Sequence, residues 1–355
     1  MVPADCHCRH YADTIQHLLC CPSSGQDETG IVRKILHTAS YSGLPWNILR
    51  SVVPDGFSVE TLESLNRECL IRQAADADYF LVSGRLSIDA EVLDAATHLK
   101  MIQRTGVGTE MLDLTAIKQR GIPVYVNAGV NAQSVAEHTL TLILACLKQL
   151  PRINKQTHSG VWAKQATGLQ TRELRGKTVG LVGMGNIGRM VAQLLNAFGA
   201  VVFYTDVYRQ PEAVEKELRL SYFTTFKEML PNVDILSFHC PLTSDNVEML
   251  NVCTLSLMKP GAVVVNTARG KLINPDDLYD ALLSGQILSA GLDTHYDEPI
   301  QEDNRLLELD NVILTPHIGG LSYEAFHSMM KRAMDNIVAF ESGQLDRIEG
   351  KRLVF

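Results

Sequence analysis

The run Val179-Gly180-Leu181-Val182-Gly183-Met184-Gly185-Asn186-Ile187-Gly188 constrains this chain more than any other stretch. An apolar, β-type segment leads into Gly-x-Gly-x-x-Gly. A helical pattern follows, with Val191, Leu194, Leu195 and Phe198 on one face. A second β-rich run, Val201-Val202-Phe203-Tyr204, leads to Asp206, 18 residues after Gly188. Strand, glycine turn, helix, strand and terminal acid together make a βαβ unit suited to a dinucleotide. Gly183 allows the tight turn, Gly185 lets backbone approach a pyrophosphate, and Gly188 lets helix and strand pack closely. Asn186 and Ile187 open the helix, whose free N–H groups and positive dipole favour phosphate. Asp206 can accept from a ribose 2′-hydroxyl and would repel a 2′-phosphate, so NAD is expected over NADP. Arg209 weighs the other way.

With 355 residues the chain has room for two cores. Apolar content of 46% and charged content of 20% fit a soluble globular protein. The net charge of −8 argues against a nucleic-acid or anionic-membrane partner. No apolar run reaches the ~18–20 residues of a membrane span. No basic segment followed by an apolar one marks the N-terminus as a secretory signal, so a cytoplasmic protein is expected. Among the eight cysteines, Cys69, Cys146, Cys240 and Cys253 lie in periodic segments and read as reduced, mostly buried thiols. Cys6, His7, Cys8, His10, Cys20 and Cys21 match no structural zinc spacing, and no metal is expected.

Residues 1–31 read as an extension. Strands and helices then alternate from Lys34-Ile35-Leu36-His37 to Val124-Tyr125-Val126, predicting a parallel sheet flanked by helices. A long helix is expected from Ser134 to Leu150, opened by a capping box of Ser134 and Glu137. Its apolar residues run almost all round, which suits burial on more than one face. Residues 151–175 have little periodicity and read as a connecting arm. After Asp206, the runs 234–238, 262–266, 289–293 and 312–315 are suited to strands covered on both faces. Between them, Pro275 to Leu283 reads as a helix capped by Asn274. The last helix, about Ser322 to Glu341, is expected to return to the first domain. The fold class is α/β, with two parallel-sheet domains, Rossmann-like and flavodoxin-like, and an active site in the cleft between them. The substrate domain spans 32–127 completed by 321–355, and the cofactor domain 128–320.

Ligands of open parallel sheets bind beyond the carboxyl ends of the strands. Arg269 follows the strand ending at Asn266, Asp293 ends the next, Glu298 lies in the loop after it, and His317 follows the last. These types suit hydride transfer at a carbonyl beside a carboxylate. Histidine is acid or base near neutral pH, and a nearby carboxylate orients it and raises its pKa. Arginine can grip a carboxylate and polarise the adjacent carbonyl. Asp293 is placed to accept from a nicotinamide carboxamide. His239 reads as lining of the cofactor pocket, and His138 as a satisfied core histidine.

These motifs in this order resemble the D-isomer-specific 2-hydroxyacid dehydrogenases, the group that includes phosphoglycerate dehydrogenase and glyoxylate/hydroxypyruvate reductase. The resemblance covers about residues 34 to 342. It rests on Val179 to Gly188, Asn266 to Gly270, Gly291-Leu292-Asp293 with Glu298-Pro299, and Thr315-Pro316-His317. Supporting matches are Arg104 to Gly108, Val135 to Thr139 and His239 to Thr243. The resemblance implies an NAD(H)-dependent interconversion of a 2-oxo acid and a D-2-hydroxy acid. It implies that His317 is the acid/base, Glu298 its partner, and Arg269 the substrate grip. Backbone near Ser83, Gly84 and Val107 is implied to hold the substrate carboxylate. Cofactor contacts are expected from the glycine loop, Asp206, His239, Cys240, Pro241, Thr267, Ala268, Asp293, His317 and Gly319. The family also implies a homodimer through residues 130 to 175.

Two departures narrow the reading. Phosphoglycerate-type members carry an arginine after the strand Phe80 to Val82. This chain has Ser83-Gly84 there, with Arg85 displaced, and no regulatory domain is expected beyond the last helix. Formate dehydrogenase relatives pair the histidine with glutamine, so Glu298 favours a hydroxy acid over formate or phosphite chemistry. Retention of Arg269, Glu298 and His317 favours an enzyme over an NAD-sensing corepressor.

Overall fold

The computed structural model describes residues 32–84 and 86–354. The cysteine- and histidine-bearing extension and Arg85 lie outside the described residues. The chain divides into two compact units. One holds the described residues up to Val130 and those from His327 on; the other is Asn131–Phe326.

The first unit is built on β1 (Arg33–His37), β2 (Phe57–Thr61), β3 (Tyr79–Val82), β4 (Met101–Arg104) and β5 (Val124–Val126). They pair in parallel in the order β2-β1-β3-β4-β5. The strand Lys351–Val354 adds to β5 antiparallel. This is the flavodoxin-like order. β3 and β5 are buried at every position, as strands covered on both faces must be. The helix Tyr323–Glu341 contributes its later turns here: Asn336 Nδ2 donates to Gln103 Oε1 at 3.1 Å, and Asn127 Nδ2 to the Met329 carbonyl at 3.0 Å. Both link buried side chains that would otherwise be costly orphans.

The second unit is built on β6 (Thr178–Val182), β7 (Val201–Thr205), β8 (Leu220–Tyr222), β9 (Ile235–Phe238), β10 (Ala262–Asn266), β11 (Ile287–Leu292) and β12 (Val312–Leu314). The order is β8-β7-β6-β9-β10-β11-β12, parallel throughout. The order reverses between β6 and β9, the switch point at which Rossmann folds bind ligands. Both parallel sheets implied by the alternation of patterns are therefore present.

The long helix differs in detail from its sequence reading. It runs Ala132–Lys148 behind Asn131 and has no side-chain cap. Ser134 lies inside the first turn, and its hydroxyl donates to the Gly319 carbonyl at 2.7 Å. Glu137 instead accepts from Gln133. Burial follows one stripe, Ala132, Val135, Ala136, Thr139, Leu142, Ile143, Cys146 and Leu147. The stripe packs with Val179, Leu181, Val191 and Leu195. Each fully buried leucine or isoleucine contributes on the order of 1.5–3 kcal/mol. The stretch read as an arm contains two short helices, Leu150–His158 and Lys164–Gly168, which bury no residue. No helix of the described residues is long and apolar enough to cross a membrane.

Candidate active site

The carboxyl ends of the second sheet are stitched side by side. Gly183 N–H donates to the Thr205 carbonyl (2.9 Å), His239 N–H to Val182 (2.8 Å), Asp293 N–H to Asn266 (2.9 Å) and Thr315 N–H to Leu292 (3.0 Å). The residues selected from the sequence as strand-end candidates in this unit therefore share one edge.

At the switch point the glycine loop is tight. Gly183 has φ of +100°, and a Cβ there would lie 2.7 Å from the Cys240 nitrogen and 2.8 Å from the His239 carbonyl carbon. A Cβ on Gly188 would collide with the Gly183 carbonyl. Gly185, by contrast, faces open space. The helix Asn186–Ala197 begins directly behind it, with a first turn whose N–H groups have no partner within the helix. Asp206 braces the loop: its Oδ2 accepts from Met184 N–H at 2.6 Å and its Oδ1 from Tyr208 N–H at 3.3 Å. His239 Nε2 lies 3.0 Å from Ser237 Oγ, while its Nδ1 is buried with no partner among the described residues. Burial pushes its pKa down to about 3, so the ring is neutral. An open glycine, a helix N-terminus, an acid at the strand end and an unpartnered imidazole nitrogen fit a dinucleotide.

Farther along the edge, His317 Nδ1 lies 2.8 Å from Glu298 Oε2. Both side chains are partly open to solvent. The Glu298 carboxylate raises the His317 pKa above its ordinary value, opposed by partial burial; Asp293 adds to the rise and Arg269 subtracts from it. Burial works against ionisation of Glu298, but the bonds from His317 and the His295 N–H outweigh it and lower its pKa. The glutamate's second oxygen accepts that N–H at 3.1 Å.

His317 sits at φ of +57°, unusual for a residue with a side chain. Asp293 accounts for its position. Its Oδ1 accepts from Ile318 N–H at 2.9 Å and the Thr315 hydroxyl at 2.6 Å, and its Oδ2 from Gly319 N–H at 2.8 Å. His138 Nε2 stands 3.0 Å from Thr315 Oγ1 and 3.3 Å from Asp293 Oδ1. Burial raises the Asp293 pKa, yet these partners more than compensate and hold it at about 2. Beyond the carboxamide contact expected for it, Asp293 thus anchors the His317 loop from both sides. His138 is satisfied, as expected, but within this polar network.

The Arg269 loop is held by Asn266, whose Oδ1 accepts from Ala268 N–H (3.0 Å) and whose Nδ2 donates to the Arg269 carbonyl (2.8 Å). Thr267 Oγ1 lies 2.9 Å from Thr139 Oγ1 in the core, and Ala268 is buried beside it. Gly270 packs so closely on the His295–Tyr296 backbone that a Cβ has no room. His295 was not singled out by sequence reasoning. Its Nε2–H donates to the Thr315 carbonyl at 2.9 Å, tying the Glu298 loop to the end of β12. Its only sequence signal is its place between Asp293 and Glu298.

Ser83, Gly84 and Val107 stand at the carboxyl edge of the first sheet. Ser83 Oγ lies 2.6 Å from His37 Nε2, and its N–H donates to Thr38 Oγ1 at 3.3 Å. Gly84 has φ of +93°, and Val107 is exposed. Among the described residues, no cluster of three or more metal-ligating side chains occurs.

Residues 140–319 match the family model described as "D-isomer specific 2-hydroxyacid dehydrogenase, NAD binding domain". Hydroxypyruvate reductase of Thermotoga maritima is 38% identical over 270 residues, covering 75% of this chain and 85% of that protein. D-3-phosphoglycerate dehydrogenase of Archaeoglobus fulgidus is 35% identical over 291 residues, covering 81% of this chain; the chain spans only 54% of that relative's length. The crystal structure of D-lactate dehydrogenase from Aquifex aeolicus, complexed with NAD and lactic acid, superposes with a TM-score of 0.77 at 29% identity, covering 91% of this chain and 99% of that one. The chain belongs to the D-isomer-specific 2-hydroxyacid dehydrogenase family. It is an NAD-dependent enzyme of that family.

Proposed function

We propose that this enzyme interconverts a small 2-oxo acid and the D-2-hydroxy acid, with His317 as acid and base, Glu298 as its partner and Arg269 as the substrate grip. The observation that carries the reading is the 2.8 Å contact between His317 and Glu298 at the sheet edge that holds the glycine loop. With Nδ1 committed to Glu298, Nε2 is the nitrogen left to face substrate. In reduction it gives a proton to the carbonyl oxygen; in oxidation it removes the hydroxyl proton. Arg269 grips the substrate carboxylate and steadies negative charge on the adjacent oxygen. Bound NAD(H) supplies the hydride donor or acceptor.

In this reading residues 128–320 form the cofactor domain, with contacts from the glycine loop, Asp206, His239 to Pro241, Thr267, Ala268 and Gly319. Residues 32–127 with 321–355 form the substrate domain, where Ser83, Gly84 and Val107 hold the substrate carboxylate. The relatives that match along most of their own length are named hydroxypyruvate reductase and glyoxylate reductase, which supports hydroxypyruvate or glyoxylate as the oxo acid. The exposed Leu150, Val161, Trp162 and Leu169 support association with a second copy through the region after the long helix.

The test is a substrate panel of glyoxylate, hydroxypyruvate, pyruvate and 3-phosphohydroxypyruvate with NADH, followed by His317→Ala on the best substrate. Turnover is expected to fall by about 10²–10⁴-fold while NADH binding, followed by its fluorescence, is retained. Near wild-type turnover would remove His317 from the proposed role.

A further inference from the structure

Arg209 lies three residues after Asp206, where an arginine can serve the 2′-phosphate of NADP. Its side chain is instead engaged. Nε lies 2.9 Å from Glu215 Oε1 and Nη2 lies 2.9 Å from Glu215 Oε2, a bidentate pair. The guanidinium carbon sits 5.3 Å from the centre of the Tyr222 ring. Glu215 is 8% exposed and held from a second side, because the Tyr204 hydroxyl donates to its Oε1 at 2.6 Å. That hydroxyl in turn accepts from the Gln210 N–H at 2.9 Å. Arg209, and then Tyr204, keep the Glu215 carboxyl ionised, with a pKa of about 2.

We propose that Glu215 is a cofactor-selectivity residue, which cancels and orients the Arg209 guanidinium and so denies it to a 2′-phosphate. This rests on Asp206 marking the ribose site. Among the described residues Arg209 keeps unshared N–H groups, so the effect is one of charge rather than of donor supply. With Arg209 neutralised by Glu215, a 2′-phosphate meets the Asp206 carboxylate without a compensating cation from this segment. The chain carries both an acid that repels NADP and an arginine suited to welcoming it; the pairing with Glu215 decides between them.

The experiment uses the full chain and calorimetric titration with adenosine 2′,5′-bisphosphate and adenosine 5′-monophosphate. The readout is the ratio of their affinities, with NADPH and NADH binding by fluorescence as a second measure. Glu215→Gln keeps an acceptor for Tyr204 and removes the charge. The ratio should move about tenfold toward the bisphosphate, the scale of one partly screened attraction between opposite charges. Adding Arg209→Ala should abolish the gain and return the ratio to that of the wild type. If Asp206→Ser moves the ratio and Glu215→Gln does not, the proposal fails while the ribose site stands. If neither moves it, both fail. Should Glu215→Gln not fold, the double variant Glu215→Gln/Arg209→Ala still decides: it removes the pair and leaves the local net charge unchanged, so a fall of the ratio below the wild type's would mean Arg209 already serves the phosphate, and overturns the proposal.

Discussion

His317 and Glu298 meet through one imidazole nitrogen and one carboxylate oxygen 2.8 Å apart, and the other glutamate oxygen is held by the His295 N–H. The protein's own groups orient the pair. Glu298 is held at one oxygen by backbone and at the other by the ring it positions.

The raised His317 pKa has a sign that pH profiles read directly. Reduction of the oxo acid needs the protonated ring, so kcat/KM for reduction should be full below the His317 pKa and fall as pH rises through it. Oxidation needs the neutral ring and should gain over the same window. Glu298→Gln removes the charge that raises the pKa. Both limbs should then move to lower pH, and turnover in reduction at neutral pH should drop. Profiles that keep their wild-type position would mean that another group titrates.

Asp293 is an anchor as well as an acid, which makes it a stability residue with a defined pH window. Its carboxyl is ordinary in the unfolded chain and held at about 2 in the fold. Its contribution, on the order of 2 kcal/mol, is therefore present above about pH 4 and lost as pH falls toward 2. Asp293→Asn turns an NH₂ toward N–H or O–H donors and should cost about 1–3 kcal/mol at neutral pH. Urea unfolding at pH 7 and pH 3 measures both terms. The variant should also lose much of the wild type's pH dependence in this range. Equal stability of the two proteins at pH 7 would contradict the anchoring role.

Gly270→Ala probes the junction of the Arg269 and Glu298 loops. The new Cβ meets the His295 carbonyl and the Tyr296 nitrogen, both backbone, so no side-chain rotation relieves it. The variant should lose about 1–3 kcal/mol of stability, as overpacked sites do. Its kcat/KM should fall even where it stays folded, because both loops carry proposed catalytic groups. Thermal melting followed by assay at a temperature below both midpoints separates the effects. A variant with wild-type melting and activity would show that the close packing is dispensable.

The glycine loop, the strands that bracket it and the candidates Arg269, Asp293, Glu298 and His317 were legible in the chain because each depends on local pattern. A buried parallel strand must be apolar along its length, a tight phosphate turn must be glycine, and a polar residue just past such a strand stands at the ligand edge. β2, β8 and the strand Lys351–Val354 were not legible. β2 (Phe-Ser-Val-Glu-Thr) and β8 (Leu-Ser-Tyr) carry polar residues among their apolar ones and so give no continuous apolar run. The helix start at Asn131 was also missed, since Ser134 is drawn to the Gly319 carbonyl, 185 residues away.

What the sequence determined alone was the βαβ cofactor motif and the chemical types on one sheet edge, since both follow from backbone sterics and strand-length burial. Tertiary structure decided which of those groups touch. The union of Asp293 with Thr315 and His138, the tie from His295 to the Thr315 carbonyl, and the capture of Arg209 by Glu215 join groups whose partner is set by strand register and local folding geometry. Hydrogen bonds have a reach of about 3 Å, so only the folded arrangement selects one partner from the many that composition allows.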